Sequence, residues 1–295
     1  MRPLFRPELV LLLGASFWGL GWLPLEHLAG QGLRGMPVVL YTYGLLCLVA
    51  LPVMAAQQRA WWPQRRALAV IFLCGGWATA GLVGALSEGD VVRAMLLFYL
   101  APVWGLLGGW LLLGERLSAV RVGALALAMI GIALTLGVSA DTFRPLAGSD
   151  WLALSAGLAF ACNNLATRAA DRVPLASKAV VAFVGAALLG GLLCLLQDTT
   201  LPPAGPGLWL QIALFGLFWL LAMGAAQYGF SHVEASRAAV LVVIELVVAV
   251  LTAAWFGERE LGLREWSGGA LVLIAALLAE RPSRPSSSVL CEAKS

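Results

Sequence analysis

Residues 113–116 read Leu113-Gly114-Glu115-Arg116, and residues 256–259 read Phe256-Gly257-Glu258-Arg259, each closing a long apolar stretch. The two tetrads lie 143 positions apart. The same offset carries Gly14-Ala15-Ser16-Phe17 onto Gly157-Leu158-Ala159-Phe160. The chain is therefore one half written twice. Each half divides into five apolar stretches, and an odd number of crossings turns the second copy upside down relative to the first. Inverted duplication of this kind is the architecture of secondary transporters.

Composition fixes the class. The chain is 61% hydrophobic and 12% charged, roughly half the ~25% charge of soluble domains. A crossing helix needs about 20 mostly apolar residues. Ten such stretches can be drawn, at 9–27, 36–56, 67–86, 92–113 and 119–138, then 150–169, 177–197, 207–230, 238–256 and 265–280. The expected fold is an all-α membrane protein of ten transmembrane helices, two five-helix inverted repeats around a central cavity. The first repeat takes 1–140 and the second 141–280. The tail 281–295 is Pro/Ser-rich and is expected to be disordered and cytoplasmic. No separate soluble domain fits into what remains. Residues 1–7 are too short for a targeting peptide, so the first apolar run reads as a retained helix.

The distribution of positive charge orients the chain. Fourteen Lys and Arg fall in the loops on the side of the N-terminus, and five (Arg34, Arg93, Arg144, Arg259 and Arg264) fall opposite. The positive-inside rule then places both termini in the cytoplasm. A net charge of +3 gives no reason to expect nucleic acid as a partner. The five cysteines show no CxxC or Cys/His ligand spacing, so neither a metal nor a cofactor is expected. The Gly-Glu-Arg tetrads read as helix ends: Gly closes the helix in a left-handed turn, and the charged pair holds that turn among the headgroups.

Taken together, these residues resemble the drug/metabolite transporter superfamily in its EamA-type, ten-helix form. The resemblance rests on the aromatic-Gly pair in Phe17-Trp18-Gly19, on Pro102 in a helix closing on Gly114-Glu115, and on the glycines Gly123, Gly131, Gly268 and Gly269 of the last helix of each half. It spans residues 8–280. Length and aromatic content are most similar to the bacterial aromatic amino-acid exporters. The direction of transport, export, is implied by the resemblance alone.

The halves differ at mid-membrane positions. Asn163-Asn164 replace Leu20-Gly21, and Glu245 stands where the first half has Pro102. A carboxylate at the bilayer centre costs at least ~2.5 kcal/mol. Glu245 is therefore either a site for a substrate amine or a proton, or a protonated acid bonded to a neighbouring helix. Asn163, Asn164 and Gln227 can fix polar substrate ends or join helices. Trp18, Trp22, Trp77, Trp104 and Trp219 lie inside their spans, away from the interfacial belt where Trp normally sits. Pro102, between Tyr99 and Trp104, predicts a kink in the fourth span. The expected substrate-binding set is Trp18, Trp22, Trp77, Tyr99, Trp104, Asn163, Asn164, Gln227 and Glu245. Pro102, Arg93 and Arg237 are expected at the gate or mouth, where the two arginines could instead snorkel and anchor helix ends.

No GxxxxGK[ST] loop occurs, so transport would draw on a gradient. The leading reading is a transporter of the bacterial inner membrane that exports small amphipathic metabolites, aromatic or hydrophobic amino acids above all, by alternating access, with proton coupling through Glu245 as an option. Its partners are the small-molecule substrate and the lipid bilayer. The internal duplication is compatible with a monomer and equally with a dimer. Cationic drugs, polyamines or purines are the alternative cargoes. A membrane enzyme or lipid scramblase would need clustered His, Asp or Glu near span ends, and the acids Glu88 and Asp90 have only Arg93 beside them.

Overall fold

The computed structural model describes residues 6–138, 145–256 and 261–279. Among them the regular structure is entirely helical: thirteen α-helices and two short 3₁₀ turns. The expected boundary at residue 140, the second tetrad's Gly257-Glu258-Arg259 and the tail 281–295 lie outside the described residues.

Eight helical stretches are long and apolar enough to cross a membrane: Pro7–Gly30, Met36–Ala60, Trp62–Glu88, Val91–Leu113, Ala119–Leu136, Leu175–Leu196, Pro206–His232 and Ala235–Phe256. Three of these are interrupted. The first is split into α1 (Pro7–Leu20) and α2 (Trp22–Gly30). Pro24 is the cause, since its nitrogen has no hydrogen to give the Leu20 carbonyl one turn back. Next come α3 (Met36–Gln57) and α4 (Arg65–Glu88). The fourth stretch is split into α5 (Val91–Phe98) and α6 (Ala101–Leu113), where Pro102 predicts a kink. α7 (Ala119–Leu136) completes the first half.

In the second half α8 (Gly148–Ala169) runs unbroken past Asn163-Asn164, the positions matching the break at Gly21. It is followed by α9 (Leu175–Leu196) and α10 (Pro206–His232). The chain then forms α11 (Ala235–Leu241) and α12 (Ile244–Phe256), interrupted at Val242-Val243, and ends its described part with α13 (Leu263–Ala279). The break between α11 and α12 sits 143 residues after the break between α5 and α6. It contains no proline. Tight bonds spaced by three residues carry it instead: Val243 N to Val240 O at 3.3 Å and Glu245 N to Val242 O at 3.1 Å.

Two expected spans, α8 and α13, fall outside the apolar eight. α8 carries Asp150, Asn163, Asn164 and Arg168, and it packs against α4, α5, α6, α10 and α11. Walled by protein, it can be polar, because the membrane penalises polar groups that face lipid. α13 has 17 described residues, and its first turn holds Arg264 and Glu265.

The halves interlock. The most extensive helix contacts cross between them: α4 with α8, α7 with α13, α3 with α9, α4 with α9, and α1 with α10. By position, α8 answers to α1, α10 to α4, α9 to α3 and α13 to α7. So α4–α8 and α1–α10 are exchanged partners, while α3–α9 and α7–α13 join an element to its own counterpart, the pattern of a two-fold contact. Small residues permit the approach. A Cβ on Gly131 would meet the Gly268 carbonyl at 2.7 Å, and one on Gly76 would meet Gly185 at 2.5 Å. Close backbone approach of this kind drives packing inside membranes.

Candidate functional site

The two broken helices meet at their breaks. Tyr99, at the end of α5, is buried with Val243, Leu246 and Val247 of the second break. Its hydroxyl faces the carboxyl of Glu245, in the first turn of α12. α1 closes over the same place: a side chain at Gly19 would run into the Glu245 carbonyl and into Val248. On the other side, Gly157 of α8 faces the Phe98 carbonyl, which Pro102 deprives of its helical donor; a Cβ there would stand 2.5 Å from that oxygen.

An aromatic chain leads away from this crossing. Tyr99 packs on Phe98 (6.0 Å between ring centroids), Phe98 on Phe160 (5.6 Å), and Phe160 on both Trp18 (5.5 Å) and Phe230 (6.1 Å). Beside it lies a small cavity of about 20 Å³, lined by Pro102, Phe160, Asn164, Phe230, Ala239 and Val242 among others. That is room for one water. Several polar atoms nearby in the core have no partner among the described residues: the indole N–H of Trp18, that of Trp104, Oδ1 of Asn163 and both amide atoms of the fully buried Gln227. Each such orphan costs about 1–3 kcal/mol, and orphaned buried groups in a native core point to water or ligand.

A larger cavity, of about 340 Å³, enters from the end of the bundle opposite the N-terminus. Glu26, Arg34 and Ser87 stand at its rim, and Thr42, Tyr43, Thr79 and Trp219 lie deeper. Thr42 and Tyr43 are six and seven residues into α3, and Thr79 is nine from the end of α4, so the cavity reaches roughly 10–13 Å inwards at 1.5 Å per residue. The indole N–H of Trp219 donates to the Tyr43 hydroxyl. Phe215, Phe218 and Trp219 stack with interplanar angles of 12–24°. Thr42, 1% exposed, leaves its hydroxyl unpartnered.

The N-terminal end is closed by a polar clasp between the halves. Gly114 ends α6 at φ +68°, the left-handed turn expected of the tetrad. Glu115 does more than mark the turn. Its carboxylate accepts from Ala235 N (2.6 Å), Ser236 N (3.0 Å) and Ser236 Oγ (2.8 Å), capping the start of α11. Arg121 is ion-paired with Glu234 and donates to Ser236 Oγ at 3.1 Å. Nearby, Lys178 Nζ donates to Thr167 O (2.8 Å) and Ser231 Oγ (3.0 Å), and Arg168 donates to Ser231 O (2.8 Å). Asp171, in the turn after α8, accepts from Gln64 at 2.7 Å, which holds its carboxyl below the usual range. A basin of about 700 Å³ opens on this end and is floored by the clasp: its lining, which includes Glu115, Arg121 and Glu234 together with Arg116, Arg168 and Asp171, lies at helix ends.

The sequence-chosen residues thus fall into five groups. Trp18, Asn164 and Pro102 border the aromatic chain and its small cavity, Tyr99 and Glu245 form the crossing, and Asn163, Gln227 and Trp104 are core residues with orphaned polar atoms. Asn163 Nδ2 also donates to Asn164 Oδ1 at 3.1 Å. Trp22 and Trp77 spend their N–H groups at helix contacts, on Thr252 Oγ1 and Ser155 Oγ, both at 3.0 Å. Arg93 and Arg237 sit in interhelical ion pairs rather than standing free at a mouth: Arg93 with Asp150 at 2.9 Å, Arg237 with Glu8 at 2.8 Å. Sequence reasoning missed Glu26, Arg34, Thr42, Tyr43 and Thr79 of the large cavity, and the clasp residues Arg121, Glu234 and Ser236. Trp219 was visible as a mid-span tryptophan, yet nothing tied it to Tyr43 on another helix.

Comparison with known proteins agrees with this architecture. The profile of the EamA-like transporter family matches twice, over residues 6–137 and 148–280. The chain is 28% identical over 203 residues to an uncharacterized transporter of Archaeoglobus fulgidus, covering 68% of this chain and 72% of that one. It is 27% identical over 265 residues, 86% of each chain, to a probable terminal-alkyne amino-acid exporter of Streptantibioticus cattleyicolor. A protein of known crystal structure shares the fold with a TM-score of 0.74 at 19% identity, over 93% of this chain and 97% of its own. The chain belongs to the EamA-like transporter family, a family of membrane transporters within the drug/metabolite transporter superfamily.

Proposed function

We propose that this EamA-family chain exports small amphipathic metabolites, aromatic or hydrophobic amino acids first among them, across the bacterial inner membrane by alternating access. Ten spans, including the polar α8 and the short α13, form two inverted repeats. The exchanged helix contacts and the two family matches support that reading. The fourteen-to-five charge bias puts the N-terminal end in the cytoplasm. The large cavity then faces outwards, and the Glu115–Arg121 clasp shuts the cytoplasmic side.

The observation that carries the proposal is the difference in depth between the two faces: a cavity of about 340 Å³ reaches from one face to mid-helix Thr42, Thr79 and Trp219, whereas the wider basin of about 700 Å³ at the other face stops at helix ends on the hydrogen-bonded Glu115–Arg121 clasp. A passage open on one side at a time is what alternating access requires. Amino acids as cargo draw support from the Streptantibioticus relative and from cavities lined by aromatic rings with few polar groups. The crossing of two discontinuous helices at Glu245 and Tyr99 is the place for a coupling proton, since such breaks hold substrate and ion sites in transporters. A second reading has one observation in its favour: acids among aromatic rings also suit an organic cation.

Proteoliposome flux tests this. Radiolabelled phenylalanine, leucine, an aliphatic polyamine and adenine are offered with and without a pH gradient. Gradient-stimulated flux of the amino acids is expected. Flux of the polyamine alone would transfer the proposal to the cation reading, and flux of none of the four would overturn it.

A further inference from the structure

We infer that the far-side cavity recognises the charged main-chain end of a free α-amino acid, with Glu26 facing its ammonium group and Arg34 its carboxylate, while the apolar wall accepts the side chain. The inference rests on the transporter reading and goes beyond it, because it assigns the site and the feature of the substrate that is read.

Three observations carry it. First, among the described residues the cavity is lined by two charged side chains, and they are of opposite sign. A cation site would have no use for the guanidinium, nor an anion site for the carboxylate. Second, neither side chain is neutralised from within the protein: no ion pair of the described residues includes Glu26 or Arg34. Arg34 is nevertheless held in place, its Nε donating to Ala29 O at 3.0 Å, and its terminal nitrogens remain available for a carboxylate. Third, the deeper wall supplies what the rest of an amino acid needs. Trp219 and Tyr43 present aromatic surface, and Thr42 lines the same space. A cavity of about 340 Å³ is of small-molecule size.

The geometry separates substrates by charge pattern. A decarboxylated amine keeps the Glu26 contact and forfeits Arg34; a deaminated acid does the reverse. Both rim charges are exposed to water, so each contact is worth about threefold to fivefold in affinity.

The test is binding of L-phenylalanine to the purified full-length protein, with 2-phenylethylamine and 3-phenylpropionate as the two half-ligands. Wild type is expected to bind the amino acid more tightly than either. Glu26→Gln should weaken the amino acid and the amine about threefold to fivefold and spare the acid. Arg34→Gln should weaken the amino acid and the acid and spare the amine. The crossed pattern is the signature, since a merely misfolded or distorted rim would move all three ligands together. Equal shifts on all three, or none, in variants whose elution on gel filtration matches wild type would overturn the inference and leave the transporter reading standing. Failure of wild type to bind or transport any amino acid would overturn both.

Discussion

Removing the Glu115 carboxylate should open the clasped, N-terminal end of the bundle, the cytoplasmic side in the proposed orientation. In Glu115→Ala, the N–H groups of Ala235 and Ser236 and the Ser236 hydroxyl lose the acceptor they share. Loss of a helix N-cap alone costs about 0.5–2 kcal/mol. With a third bond to a charged group also gone, ~2 kcal/mol is a fair figure for the side-closed state. If the proposed open state lacks these bonds it loses nothing, so the closing equilibrium should weaken about thirtyfold. The reporter is a cysteine at Ala239, which lines the 20 Å³ cavity just inside the clasp, in an otherwise cysteine-free protein. Its labelling by a membrane-impermeant maleimide is followed in inside-out vesicles. The rate should rise at least tenfold in Glu115→Ala and by less in Glu115→Gln, whose amide oxygen still accepts. An unchanged rate in well-folded Glu115→Ala protein would refute the idea that these bonds hold the side closed.

Three further outcomes follow from the packing. Glu245→Gln should abolish the pH dependence of flux and lower its rate while the protein still elutes as a monodisperse species; wild-type flux in that variant would remove Glu245 from the coupling site. Breaking the buried Arg93–Asp150 pair by Arg93→Gln should cost about 3–5 kcal/mol and lower the melting temperature sharply, whereas the double variant Arg93→Met/Asp150→Leu should recover most of it; equal loss in both would mean that the pair does not act through charge. Gly268→Val should force α7 and α13 apart, because even a Cβ there would stand 2.7 Å from the Gly131 carbonyl. Overpacking of this kind costs about 1–3 kcal/mol, read as a drop in thermal midpoint, and an unchanged midpoint would show that the interface has slack.

What could be read from the chain alone followed from how strongly each feature is tied to local sequence. Helix positions depend on runs of apolar residues, so the all-helical membrane class could be read from the chain alone, and eight of the expected spans are helical stretches long and apolar enough to cross a membrane. The break at Tyr99-Leu100 depends on one residue, Pro102, and was foreseen. The matching break at Val242-Val243 has no such marker and is made by tight backbone bonds that no residue type announces. The split at Gly21 was missed although Pro24 causes it, because the run around it stays apolar on both sides. The large cavity was invisible for another reason. Tyr43 and Trp219 are 176 residues apart, and each on its own is an ordinary mid-span aromatic. Arg93 and Arg237 were legible as charged helix starts, but whether such a group faces a mouth or a carboxylate depends on a helix from the other half.

Two arginines at matching positions show how one fold can serve two faces. Arg121 and Arg264 stand 143 residues apart, in the first turns of α7 and α13. If the halves were related by strict symmetry, both would have the same surroundings. They do not. The Arg121 side chain is 6% exposed and bridges to Glu234 at the start of α11, whereas that of Arg264 is 53% exposed and reaches only its neighbour Glu265, at 3.5 Å. Part of this is written in the sequence, because Glu234 and Ser236, which meet Arg121, have Val91 and Arg93 at the positions 143 residues earlier. Under the proposed alternating access a second difference is that one end of the bundle is shut and the other open. Under the proposed exchange of states, the burial of the two residues should reverse. Charge-neutral substitution should then act with opposite sign at the two positions: Arg121→Gln should favour the inward-open form, and Arg264→Gln should leave the outward-open form unpenalised while weakening closure of the far side. Labelling of cysteines placed in each basin, compared between the two variants, measures that sign directly. The same direction of shift in both would mean that the burial difference is a fixed asymmetry of the fold rather than a record of which side is open.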